Sequence, residues 1–135
     1  LRLLFRKIKT MTADSPKHIL VVDDDDMLRS YVRELLKLNN FQVSEAADGK
    51  EGLKEFREKT PDLVITDIIM PEMEGISFIR KLREYSQDTP IIAMTGNVHG
   101  HMDEYLEISS QIGANEILRK PIKSEEFLDA INRLT

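Results

Sequence analysis

Five residues carry a chemically useful side chain immediately behind an apolar, β-forming run. Asp23 and Asp24 follow "HILVV" (18–22), Asp67 follows "DLVIT" (62–66), Thr95 follows "PIIAM" (90–94), and Lys120, with Pro121 next to it, comes just after "NEIL" (115–118). If those runs are strands of one sheet, three carboxylates, a hydroxyl and an ammonium converge on one edge of it. Carboxylates grouped in this way repel each other unless a cation compensates. They suit a hard divalent ion such as Mg²⁺, which prefers oxygen ligands and keeps some of its waters.

Each residue also has a plainer explanation. In "VVDDDD" (21–26), Asp25 and Asp26 are expected to serve a helix N-terminus, where negative side chains are stabilised, and need no metal role. Asp23 and Asp24, taken alone, could do the same. Thr95 alone could be an ordinary turn residue, and Lys120 alone a solvated lysine. Asp67 resists such a reading best, because it lies between an apolar strand and Ile68-Ile69-Met70, an awkward place for a charge without a local purpose. The conjunction of all five positions favours a site.

The elements that would position these residues follow from periodicity. After "HILVV", Leu28, Tyr31, Val32, Leu35 and Leu38 recur at helical spacing up to Asn39-Asn40. "FQVSEAA" (41–47) is a second strand, and Asp48-Gly49 leads into a helix with Leu53 and Phe56 that Pro61 ends. Strand three is "DLVIT". Pro71 and Gly75 punctuate the loop before a helix striped by Ile76, Ile79 and Leu82. Strand four is "PIIAM", and a loop, "TGNVHG" (95–100), precedes a helix with Met102, Tyr105 and Leu106 that ends at Gly113. "NEIL" is strand five. Phe127, Leu128, Ile131 and Leu134 stripe the last helix, for which Ser124 is the expected N-cap, with Glu125 and Glu126 in the first turn. Strict strand–helix alternation implies an α/β fold with a parallel sheet covered by helices on both faces. Such sheets place ligands outside the carboxyl ends of their strands, where the five residues fall.

Composition narrows the function classes. The 135 residues are 41% hydrophobic, enough for one domain with a proper core, and no apolar run is long enough to span a bilayer. With no cysteine there are no disulfides and no thiolate metal sites. The net charge is -5, but four of the 19 basic residues lie in residues 1–10, which hold no acid. The remaining 15 face 24 acids, a balance of -9 that disfavours direct nucleic-acid binding. In "LRLLFRKIKT", Leu1, Leu4, Phe5 and Ile8 fall at helical spacing opposite basic residues, yet Met11 and the polar "TADSPK" behind it read as a natural start. Residues 1–16 are therefore expected to be a leader, in part expression-derived, and residues 17–135 the functional domain.

Four ordered motifs resemble the receiver domain of two-component response regulators, of the chemotaxis-regulator type: "ILVVDDDD" (19–26), "PDLVITDIIMPEMEG" (61–75), "PIIAMTG" (90–96) and "GANEILRKPI" (113–122). The resemblance implies a doubly wound, flavodoxin-like (βα)5 fold with a five-stranded parallel sheet in the order 2-1-3-4-5. It implies that Asp67 accepts a phosphoryl group from a phosphohistidine on a histidine kinase or histidine phosphotransfer protein. Asp24, Asp67 and the backbone carbonyl of Ile69 would ligate Mg²⁺, with Mn²⁺ an acceptable substitute, and Asp23 would act mostly through a water. Thr95 and Lys120 would stabilise the phosphoryl group and switch, and the bond before Pro121 would be cis. A cytoplasmic signalling protein with an unknown downstream protein target follows, not a dedicated enzyme.

The sequence departs from that pattern in places. Ile117 stands where an aromatic switch residue is common, so output by loop and helix shifts is expected instead of a Thr–aromatic relay. The stretch from Thr95 to Gly113 is a few residues longer than usual, and its His99 and His101 read as solvated loop residues. Ile69 and Asn97 would flank the phosphoryl group, and apolar Ile69 is expected to prolong its lifetime. Other function classes fit less well. A haloacid-dehalogenase-type phosphatase needs a D-x-D motif and a cap domain, against which Met27 and the chain length argue. A flavodoxin-like cofactor binder would meet an acidic loop after strand one. A phosphorylation-independent binding relative of the receiver fold is the main alternative, and the intact set of five residues argues against it. The sequence leaves open whether the chain works alone or as part of a longer protein.

Overall fold

Continuous apolar runs dominate the middle of the sheet because its strands are covered on both faces. A computed structural model of the chain describes residues 17–68, 74–96, 107, 111 and 113–135. The strands are β1 (His18–Val22), β2 (Gln42–Ala46), β3 (Leu63–Asp67), β4 (Ile91–Thr95) and β5 (Glu116–Arg119), all parallel and in the order β2-β1-β3-β4-β5. The helices among the described residues are α1 (Asp26–Leu38), α2 (Gly49–Lys59), α3 (Glu74–Tyr85) and α4 (Ser124–Leu134). The helix expected around Met102–Leu106 lies outside the described residues.

The two-residue period of a strand divides the core. Leu20, Val22, Val64 and Ala93 point to one face, where Phe56 of α2 and Phe78, Ile79 and Leu82 of α3 cover them. Ile19, Val21, Ile65 and Met94 point to the other, against Val32 and Leu36 of α1 and Phe127 and Ile131 of α4. On α1 the buried stripe runs through Leu28, Val32, Leu35 and Leu36, while Tyr31 and Leu38, expected within it, are 47% and 80% exposed. At 3.6 residues per turn those two residues share the stripe's shoulder, while Val32 and Leu36, both fully buried, face the sheet.

Caps set the helix ends. The Asp25 carboxylate accepts the N–H groups of Met27 and Leu28 at 3.0 and 3.1 Å, and that of Asp48 accepts the N–H of Glu51 at 2.8 Å. Thr60, in the left-handed region, closes α2 just ahead of Pro61. The cap of α4 differs from expectation. Lys123, with extended backbone, occupies the N-cap without a side-chain bond, and Ser124 is already helical. The helix starts one residue early, and Glu125 and Glu126 in its first turn offset its positive end instead.

One glycine fixes how closely α2 lies to the sheet and α3. A Cβ on Gly52 would stand 3.0 Å from the Phe78 ring and 3.1 Å from Val22 Cγ2, both buried. Gly52→Ala is expected to destabilise the fold by about 1–3 kcal/mol, read as a lower urea midpoint at unchanged m-value.

Candidate functional site

The carboxyl ends of β1, β3 and β4 deliver the acids and the hydroxyl to one edge, because each strand switches from apolar to polar where it leaves the core. Asp23 is fully buried, Asp67 is 3% exposed, Thr95 is buried and Asp24 is exposed. Parallel pairing of β1 with β3 and of β3 with β4 sets these strand ends side by side. Carboxylate oxygens of Asp23, Asp24 and Asp67 lie within 4.8 Å of one another, so three hard donors can reach one cation.

Lys120 reaches the same place from the end of β5. Its Nζ donates to Asp67 Oδ2 at 3.0 Å and to Asp23 Oδ2 at 3.3 Å. The Lys120 N–H donates to the Thr95 carbonyl at 2.8 Å, and the Lys120–Pro121 peptide is cis. Burial works to lower the Lys120 pKa, but Asp67 and Asp23 together outweigh it and hold the ammonium above its ordinary value. For Asp23 burial dominates and raises the carboxyl, against the opposing pull of the Asp25 N–H (2.9 Å) and Lys120. One ammonium thus serves as counter-ion to two buried carboxylates.

The Thr95 hydroxyl donates to the Gly96 carbonyl at 3.3 Å, a long bond that is cheap to exchange for a better acceptor. Asp25 is the α1 cap, and Asp26 pairs with Arg29 at 2.6 Å, so the second half of the acidic run belongs to the helix. The Ile69 carbonyl, Asn97, His99, His101 and Tyr105 lie outside the described residues. Ile117 is partly buried against the core face that holds Phe78 and Ile79.

Of three supporting residues, Arg29 and Arg83 had no role in the sequence reading, and Gly75 was read only as loop punctuation. The Arg29 guanidinium donates to the Asp23 carbonyl at 2.6 Å and also pairs with Glu45 at 3.2 Å, steadying the end of β1. Arg83 gathers the carbonyls of Ser86, Thr89 and Gly113 and the Asn115 side chain, tying the end of α3 to the approach to β5. Gly75 brings the first turn of α3 so close that a Cβ there would meet the Asp67 carbonyl oxygen at 2.0 Å. Only the offset of Gly75 from Asp67 hinted at any of this. The two arginines act across distant stretches of chain and leave no local pattern.

Comparison with known proteins agrees with this geometry. The family described as the response regulator receiver domain matches residues 19–132. The chain is 33% identical over 116 residues to the chemotaxis protein CheY of Bacillus subtilis, covering 85% of this chain and 94% of that protein. It is 36% identical over 121 residues to the response regulator MprA of Mycolicibacterium vanbaalenii, covering 88% of this chain but only 50% of MprA. Among solved structures, a response regulator receiver domain protein from Clostridium thermocellum superposes with a TM-score of 0.80 at 32% identity, covering 87% of this chain and 93% of that one. Chemotaxis protein CheY4 of Vibrio cholerae gives 0.81 at 30% identity, covering 90% and 100%.

Proposed function

This chain belongs to the response regulator receiver domain family, and from that premise we propose that Asp67 is the phosphoacceptor of a two-component or phosphorelay system. Residues 17–135 constitute the receiver, preceded by the leader 1–16. The donor is a phosphohistidine on a histidine kinase or histidine phosphotransfer protein, the compartment the cytoplasm, and the output a conformational change read by a protein target. The observation that carries this reading is the buried Asp67 carboxylate, with an ammonium on one oxygen and two further carboxylates within reach of a shared cation.

Asp67 attacks the phosphorus in line. The P–N bond breaks, its electron pair returns to the imidazole, which takes up a proton, and an acyl phosphate forms on the aspartate. Asp23, Asp24, Asp67 and the Ile69 carbonyl would hold Mg²⁺ or Mn²⁺, which supplies positive charge to the phosphoryl oxygens. Lys120, already on Asp67, remains to pair with the added charge, and the Thr95 hydroxyl leaves Gly96 for a phosphoryl oxygen. The Thr95 movement and the strengthened Lys120 contact pull on the segments after β4 and β5. Ile117 has no polar tip to follow them, so the switch runs through the backbone at Thr95–Gly96 and Lys120–Pro121. The chain promotes its own phosphorylation and dephosphorylation and has no separate substrate.

The test is intact mass after incubation with acetyl phosphate and Mg²⁺. One added phosphoryl group is expected, absent in Asp67→Asn and absent in EDTA. An unphosphorylated wild type under both acetyl phosphate and a phosphorylated kinase would leave a binding module that works without phosphorylation.

A further inference from the structure

The trough between α2 and α3, on the sheet face away from α1, is not used by the phosphoryl chemistry. It has a volume of about 1060 Å³ and is partly open to solvent. Leu53, Phe78 and Tyr85 form its apolar base, and Tyr85 is 56% exposed. Its rim is cationic. Lys50, Lys54 and Arg57 recur along α2 at helical spacing, and Lys81 faces them from α3 one turn before Tyr85.

Among the described residues none of these four enters a salt bridge, and Arg57 lies over the Tyr85 ring at 4.9 Å. The three acids of the lining offset them only in part, four cations against three carboxylates, and none of the three pairs with them directly. Asp48 caps α2, Glu51 accepts the Ala47 N–H at 3.3 Å, and Glu58 alone remains along the trough. A run of unpaired cations over an apolar base is an anomaly in a chain of net charge -5.

We propose that this trough is a docking site for an acidic amphipathic helix of a partner protein. A trough flanked by two helices and partly open to solvent suits a helix better than an enclosed small molecule, in the manner of helix-in-groove recognition. The partner's apolar ridge would rest on Leu53 and Tyr85, and its carboxylates would meet Lys54, Arg57 and Lys81. Opposite charge steers such an encounter and fixes which helix is accepted. The inference stands on the trough alone and does not depend on Asp67.

Two synthetic helices of about four turns, with the same leucine ridge and either glutamate or lysine flanks, supply the probes. Each is titrated into unphosphorylated ¹⁵N-labelled protein and into K54E/K81E, whose substituted positions are exposed; thermal unfolding checks that the variant is folded. The acidic helix is expected to shift Leu53, Arg57, Lys81 and Tyr85 saturably, to weaken with salt, and to lose about tenfold in affinity on K54E/K81E. The lysine helix should bind the wild type at least that much more weakly. Equal binding of both helices, shifts centred on α1, or an unchanged affinity in K54E/K81E would overturn the proposal. So would AMP or inorganic phosphate shifting the same residues as tightly as the acidic helix, since that would place a small anion there.

Discussion

Gly75→Ala is expected to damage both fold and phosphorylation more than any other single methyl addition in the described chain. The new Cβ would stand 2.0 Å from the Asp67 carbonyl oxygen and 2.7 Å from both the Cα and the carbonyl oxygen of Ile68. All three are backbone atoms at the end of a buried strand, so no side chain can swing away to make room. Either α3 lifts from the sheet or the end of β3 moves, at a cost of about 3 kcal/mol or more. Movement of β3 carries the Asp67 carboxylate with it, and a displacement near 1 Å in a reacting group can lower a rate by about 100-fold. Urea unfolding should show the first effect, and the rate of phosphoryl uptake from acetyl phosphate, measured well below the melting temperature, the second. Gly96→Ala is the matched control for stability. A Cβ there meets nothing within 4 Å, so its unfolding midpoint should stay near that of the wild type. Equal stability of the two variants would show that α3 does not hold Asp67 in place.

Lys120→Met should expose the electrostatic cost of the site. The ammonium is the shared partner of two carboxylates whose side chains are 0% and 5% exposed, at 3.3 and 3.0 Å. Removing one partner of a buried ion pair costs about 3–5 kcal/mol, because the buried charge left behind loses its counter-ion. The loss should depend on pH. Burial already raises the Asp23 carboxyl, and without the ammonium Lys120 no longer opposes it, so its folded-state pKa moves further above the unfolded value. That stability is present below the unfolded pKa and lost as pH rises through the folded one. The variant should therefore fall further below the wild type at pH about 8 than at pH about 5 when both are unfolded in EDTA. Mg²⁺ should stabilise Lys120→Met more than the wild type, since the ion replaces the missing charge in one and competes with the ammonium in the other. A variant as stable as the wild type in EDTA would contradict the counter-ion role of Lys120.

Much of the fold was legible because buried parallel strands leave an unmistakable trace. "HILVV", "DLVIT" and "PIIAM" are apolar at nearly every position that both sheet faces cover, buried Thr66 being the exception, and the chemically useful residue behind each marks where the chain leaves the core. That is why Asp23, Asp67 and Thr95 could be named before any coordinates. The α1 stripe was less clear, since Tyr31 and Leu38 satisfy helical spacing almost as well as Leu36 does, and only packing against Val21 and Ile65 decides which side faces inwards. The start of α4 went to Ser124 on cap preference, whereas the extended backbone at Lys123 determines it. Arg83 and Arg29 were invisible for a deeper reason. Their partners Gly113 and Asp23 come together only once the sheet is assembled. The trough between α2 and α3 is of the same kind, because Lys54 and Lys81 are unremarkable on their own helices and form a patch only when those helices lie side by side.

The most direct test of the phosphoacceptor assignment is to locate the phosphoryl group chemically. Protein phosphorylated by acetyl phosphate is treated with borohydride, which reduces an acyl phosphate to the alcohol and turns a phosphorylated aspartate into homoserine. The peptides spanning residues 18–29 and 63–80 are then sequenced by mass spectrometry. Homoserine at position 67, absent from unphosphorylated protein, is the expected result. Homoserine at position 23 or 24 with an intact Asp67 would move the nucleophile to the end of β1 and contradict the assignment.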